Sequence, residues 1–237
     1  MSYSAEKLPK LGFNIALVMV VILGFSALSK YILPDSIWTA IFTPLYGEEY
    51  LATQLAKYDQ NAGQEFAHRI LGSLFLVAGL LQFKASVRKK RPKLHKIMGR
   101  LFVGACIIAG LSGIALGILM PYSGKPEIIP VVLFGGFMMV AAIMGVVTIR
   151  KGKVNAHTKW MVRCFAVGLG SATIRMVHPI LLNVFTGIPA TELFLFELWF
   201  SWILHLMAAE LGLYFYFGKK EVKTYMMPKT EEPRMVA

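Results

Sequence analysis

The chain has 237 residues, 56% of them hydrophobic and only 16% charged, with a mean hydropathy of +0.59. A soluble globule cannot hide that much apolar surface, and the same composition excludes a disordered chain, a coiled coil and, with two cysteines, a disulfide scaffold. A net charge of +12 could advertise a nucleic-acid partner in a soluble protein. In so apolar a chain it marks orientation in a bilayer, so an integral membrane protein without a nucleic-acid partner is expected.

Crossing a hydrocarbon core of ~30 Å takes about 20 mostly apolar residues. Six stretches meet that length: roughly 11–33, 67–86, 99–120, 128–150, 157–186 and 191–217. They are continuously apolar, whereas barrel strands alternate over about 10 residues. The expected fold is therefore all-α, a six-span transmembrane domain over residues 1–218 followed by a basic tail, 219–237. The first run follows Lys7 and Lys10 as a secretory signal would, and Ser26-Ala27-Leu28 faintly resembles a cleavage site. It continues to Leu33, too long for a signal, and reads as an uncleaved span.

Lys and Arg should collect in alternate short loops on the cytoplasmic side. They do so before the first span, between Lys84 and Arg100, between Arg150 and Arg163, and in the tail at Lys219, Lys220, Lys223, Lys229 and Arg234. Asp35, Glu48, Glu49, Asp59, Glu65, Glu127 and Glu192 gather on the other side, where only Lys30, Lys57, Arg69, Lys125 and Arg175 are basic. Both termini are expected in the cytoplasm, and the chain in a bacterial inner membrane. The longest connection, the outside loop 34–66, carries Trp38, Phe42, Tyr46, Tyr50 and Tyr58 and is expected to lie along the membrane interface, either as a plain loop or as a cap over an outward-facing cavity. The tail, with Pro228 and Pro233, reads as disordered.

Ionisable groups inside spans cost at least ~2.5–3.5 kcal/mol at the bilayer centre, so those present face the bundle interior. On the fifth span His157, Met161, Cys164, Gly168, Ser171, Arg175 and His178 share one helical face. The two histidines stand about 31 Å apart along it, one at each membrane boundary. On the second span His68, Gly72, Phe75, Gly79 and Gln82 form a similar face; on the sixth, Glu197, Ser201 and His205 align, with Glu210 beyond. Gly113 and Gly117 on the third span are a helix-contact signal of modest specificity.

His68 and His178 thus fall at the outer boundary, His95 and His157 at the inner one. Two outer imidazoles could ligate a haem iron or hydrogen-bond a quinone, with Arg69 and Arg175 near enough to neutralise carboxylates such as haem propionates. A paired-haem bundle, whose two ligands on one helix stand about 14 residues or ~20 Å apart, does not match His157 and His178. Signatures of covalent haem attachment, of zinc peptidases, of phosphate loops and of serine hydrolases are absent. Cys106 and Cys164 read as packing residues, and no dedicated metal site is expected.

Two strings are more specific. Lys93-Leu94-His95-Lys96-Ile97-Met98-Gly99-Arg100 opens the third span, and Asn155-Ala156-His157-Thr158-Lys159-Trp160-Met161-Val162-Arg163 opens the fifth. With His68-Arg69 and Arg175 they resemble a family of bacterial predicted membrane proteins known only as a domain of unknown function. The resemblance runs from about Phe66 to Pro179; Thr158 stands where that family commonly has arginine. It supplies no activity, but implies that His68, His95, Arg100, His157, Trp160, Arg163 and Arg175 are the residues to inspect.

Three functions remain open at this point. The first is a redox membrane protein binding haem b or a quinone through His68 and His178, with His95 and His157 as an inner pair. The second is a proton-coupled transporter or channel using Glu197, His205 and Arg175 as a relay. The third is a non-catalytic partner or assembly factor whose basic inner face holds another subunit or anionic lipid, the latter at ~1 kcal/mol per Lys or Arg near the surface.

Overall fold

The computed structural model describes residues 7–226; the side chains of 7–10, 49–50, 54, 57–58 and 218–226 lie outside that description. The charges of Lys7, Lys10, Lys57, Lys219, Lys220, Lys223, Lys229 and Arg234, the rings of Tyr50 and Tyr58, and Pro228 and Pro233 therefore lie outside the described residues. Among the described residues nine α-helices follow one another: α1 (Lys7–Ile32), α2 (Asp35–Tyr46), α3 (Glu48–Gln60), α4 (Ala62–Phe83), α5 (Ala85–Lys90), α6 (Pro92–Leu119), α7 (Ile128–Arg150), α8 (Val154–Val184) and α9 (Ala190–Met226). A single 3-10 turn, Lys125–Glu127, precedes α7. No strand occurs among the described residues. Helices α1, α4, α6, α7, α8 and α9 are each long and apolar enough to cross a membrane, and the multi-pass all-α fold is as expected.

Helix boundaries follow backbone chemistry. Leu33 ends α1 because it precedes Pro34, which disfavours helical backbone one residue upstream. Pro92 occupies the first turn of α6, where a missing N–H costs nothing. Gly152, at φ +71°, turns the chain between α7 and α8 in the left-handed region that favours glycine. Because α6 starts at Pro92 and α8 at Val154, His95 and His157 sit within the first turns of their helices rather than ahead of them.

The segment 34–66 is not a loop. It is two helices and the start of α4, and the reason lies in the spacing of its aromatic residues. Trp38, Phe42 and Tyr46 recur every fourth position and stack along one face of α2, with ring centroids 4.8 and 6.3 Å apart.

Neighbours in sequence pack as antiparallel neighbours in space: α4 on α6, α6 on α7, α7 on α8, α8 on α9. Helix α1 closes the bundle by lying against both α4 and α8. Helix α8 is the most buried of the six, the central post of the bundle. Glycine contacts set the approach of these helices. Phe75 of α4 fills the space over Gly168 of α8, and Phe165 of α8 fills that over Gly79 of α4. Gly113 receives the His68 ring while Gly117, one turn on, receives Val131 of α7. The core beneath is Phe75, Leu76, Phe102, Cys106, Ala141, Ala142, Cys164 and Phe165. The two thiols face each other there, fully buried, Sγ to Sγ 3.7 Å, as packed free cysteines.

Candidate functional site

The charged connections divide the molecule into a basic end, at the α4–α6 and α7–α8 turns, and an acidic end, at α2–α3 and the α6–α7 and α8–α9 turns. A cavity of about 360 Å³ occupies the acidic half. It reaches from Met120 and Tyr122 at the rim down to Gly110, Met138 and Gly168. Ten residues of α6 separate its rim from its floor, about 15 Å along the axis. The floor and walls are apolar, among them Phe75, Leu76, Val131, Val167 and Trp202, and α2 roofs it with Trp38, Phe42 and Tyr46. His68, Arg69, Arg175 and His178 all line this one cavity. The four residues that the sequence singled out on the outer side are thus brought together.

His68 is set by α6. Its Nδ1 lies 2.9 Å from the carbonyl oxygen of Ala109, and since a carbonyl only accepts, Nδ1 carries the proton. Nε2 makes no hydrogen bond among the described residues. Gly72, one turn further along α4, also lines the cavity, and a methyl group added there would meet nothing within 4 Å. The space beside the imidazole is therefore a real recess.

Arg69 is compensated within its own helix. It forms an ion pair with Glu65, four residues earlier, both side chains being almost fully buried at 7% and 4% exposure. Tyr31 of α1 donates to the same carboxylate, and Arg69 Nη1 donates to the Ala27 carbonyl at 3.1 Å. Arg69, expected near enough to neutralise a ligand carboxylate, thus has a counter-charge from Glu65 within its own helix. Glu65, expected with the acids of the outer side, is a buried structural group, and its i, i+4 spacing to Arg69 is the signal for this in the sequence.

Arg175 and His178 stand on the last turns of α8. Arg175 Nη1 lies 3.4 Å from Ser26 Oγ on α1. Pro179 has no N–H to offer the carbonyl four residues back, which is that of Arg175. Tyr46 of α2 fills the vacancy, donating its hydroxyl to Arg175 O at 3.1 Å. His178 is 1% exposed, its Nδ1 3.0 and 3.1 Å from the two carboxylate oxygens of Glu197, itself 1% exposed. The paired contacts Phe75–Gly168 and Phe165–Gly79 fix the antiparallel register of α4 and α8. That register sets His68 level with Arg175, and His178 level with Glu65, about 4.5 Å nearer the rim.

Glu197 and His205, aligned on one face of α9, have separate partners. Glu197 holds His178, whereas His205 Nδ1 bonds the Ser201 carbonyl at 2.8 Å and Nε2 lies 3.4 Å from Thr173 Oγ1.

The basic end is built differently. His157 Nδ1 bonds the Gly145 carbonyl at 2.8 Å, and the His95 carbonyl accepts from Gln82 Nε2 at 3.0 Å. His95 lies within electrostatic reach of Arg88 and His157. Arg163 makes a two-pronged bond to Glu210, at 2.5 and 2.9 Å, and stacks over the Trp160 ring at 5.1 Å. Arg100 is exposed. None of these residues lines the cavity at the acidic end.

Among the described residues no cluster of three or more His, Cys, Asp or Glu side chains is arranged to hold a metal ion. No curated protein and no solved structure matches the chain. A family model described as a predicted membrane protein, DUF2306, matches residues 66–213. That span takes in more than half of the chain, from near the start of α4 to about two-thirds of the way along α9, and so the protein is a member of the DUF2306 family of predicted membrane proteins.

Proposed function

We propose that this is a redox membrane protein whose cavity holds the head group of a quinone-type lipid. The observation that carries the reading is His68: an imidazole with Nδ1 committed to Ala109, an Nε2 without a hydrogen bond among the described residues, and an open recess at Gly72 beside it. Ligand sites are mostly apolar clefts with a few convergent polar groups, and the aromatic and aliphatic walls around His68, Ser73, Ser171 and Arg175 have that make-up. A redox-active lipid reaches such a site from the bilayer itself. Quinone extracted with the purified protein, and lost from Gly72→Leu, would support this; a protein that neither retains nor rebinds quinone would reject it.

Haem b is the second reading, and a specific observation favours it. A histidine that binds iron donates its other ring N–H to a carbonyl or carboxylate, as His68 and His178 do toward Ala109 and Glu197. The stagger of the two rings along the bundle and the internal compensation of Arg69 weigh toward the quinone. A coloured protein with a reducible Soret band, lost in His68→Ala or His178→Ala, would reverse that order.

The charge pattern supports a bacterial inner-membrane location with both termini cytoplasmic, the cavity facing outward and the basic face against anionic lipid. A periplasm-active phosphatase fused to the C-terminus should be inactive; activity there would invert the topology.

A further inference from the structure

We propose that the cavity selects the reduced, hydroxyl-bearing form of its ligand, a quinol, over the oxidised quinone, and that His68 is the residue that makes the choice. This inference rests on the quinone reading above. It follows from which partner each ring nitrogen has.

A neutral imidazole has one N–H and one lone pair. Ala109 O, being acceptor-only, fixes the proton of His68 on Nδ1 and leaves the lone pair on Nε2. This is imposed by α6 backbone, which no side-chain rearrangement in the cavity alters, and the ring is held in place against Gly113, where an added methyl group would overlap it. An Nε2 lone pair accepts from a hydroxyl but is repelled by a carbonyl oxygen. A quinol presents two O–H donors; a quinone presents two carbonyls and no donor.

Arg175, by contrast, can only donate, and it lines the same cavity level with His68. A quinol hydroxyl can satisfy both at once, donating its proton to Nε2 and accepting from the guanidinium. A quinone carbonyl can satisfy Arg175 alone. The difference between forms is one hydrogen bond made or one acceptor left facing another, corresponding to at least about tenfold in affinity.

The test uses the full-length protein in detergent, a decyl-substituted benzoquinone, and the same compound reduced beforehand with dithionite. Binding is read from quenching of Trp38 and Trp202, which line the cavity. The quinol should bind at least about tenfold more tightly than the quinone. In His68→Gln, whose amide both donates and accepts, the ratio should fall toward one. Equal affinities in the unaltered protein, or tighter quinone, overturn the selectivity while leaving the quinone reading standing. Binding of neither form rejects that reading and the inference with it, and a preference surviving in His68→Gln removes the role of His68. The ¹⁵N spectrum of the ligand-free protein supplies a check independent of binding, the His68 signals being identified by their loss in His68→Gln. Nε2 should be unprotonated, and an Nε2-protonated ring would overturn the proposal.

Discussion

The two ends of this bundle use the same residue types to opposite effect. At the basic end Arg163 and Glu210 meet in good two-pronged geometry, but they are 24% and 51% exposed; at the acidic end Arg69 and Glu65 are almost fully enclosed. The first pair sits where charges are cheap and hydrated. The second sits beside a cavity, locked by Tyr31 and the Ala27 carbonyl. An ion pair taken out of solvent offers little net stability, yet breaking it is costly because the survivor is left buried and alone. The comparison separates charges that mark orientation from charges that shape a site.

The largest expected effect breaks the enclosed pair. Glu65→Gln or Arg69→Met alone should destabilise the detergent-solubilised protein by about 3–5 kcal/mol. The double substitution should recover much of that loss, because no lone charge remains. Thermal unfolding of the three variants reads the coupling, and strictly additive losses would show that the two side chains do not compensate one another.

Next come two glycines of α4, two turns apart and opposite in surroundings. A methyl group at Gly79 would overlap the Phe165 ring, so Gly79→Ala should cost about 1–3 kcal/mol through overpacking. Gly72 faces open space, and Gly72→Leu should leave stability unchanged or raise it slightly, since glycine in a helix is worse than other residues by about 0.8–1.0 kcal/mol relative to alanine. Its effect should appear in ligand retention instead. A destabilised Gly72→Leu would show that the recess is filled by protein.

The sequence made the spans, the inward faces and the grouping of His68, Arg69, Arg175 and His178 legible, because apolar length and helical spacing act locally. Three features were not legible. A cap over a cavity is one of the two expectations for the segment 34–66, but its helical form is hidden, since a segment too short to span gives no length signal; only the four-residue recurrence of Trp38, Phe42 and Tyr46 betrays it. The Glu65–Arg69 pairing is hidden because Glu65 also fits the acidic charge pattern of the outer side. The link from Tyr46 to the carbonyl of Arg175 could not be seen at all: Pro179 announces that a carbonyl is freed, but that a residue 129 positions earlier supplies the hydroxyl is decided by packing alone.

That link gives an intermediate test of the acidic end. Tyr46→Phe keeps the ring on the α2 stack and removes only the hydroxyl, leaving the Arg175 carbonyl without its donor. A half-buried acceptor so exposed should cost about 1–3 kcal/mol, with loss concentrated in the anchoring of α2 and read as faster hydrogen exchange there. Tyr46→Phe that leaves exchange in α2 unchanged would mean that the aromatic stack, not the hydrogen bond, fastens the roof.

The smallest effect belongs to the basic end, and its smallness is the sharper half of the comparison. Arg163→Met or Glu210→Gln removes a two-pronged ion pair, and geometry alone would predict a large loss. Exposure argues the reverse. Water solvates whichever partner remains, so the expected cost is about 0.2–1 kcal/mol, and it should shrink further in high salt. The Arg163 guanidinium also covers the Trp160 ring, so Met, which keeps apolar contact there, isolates the charge from the packing. A loss from Arg163→Met as large as that from Arg69→Met would show that enclosure does not set the rank of these two pairs, and that the basic end is as finely built as the cavity.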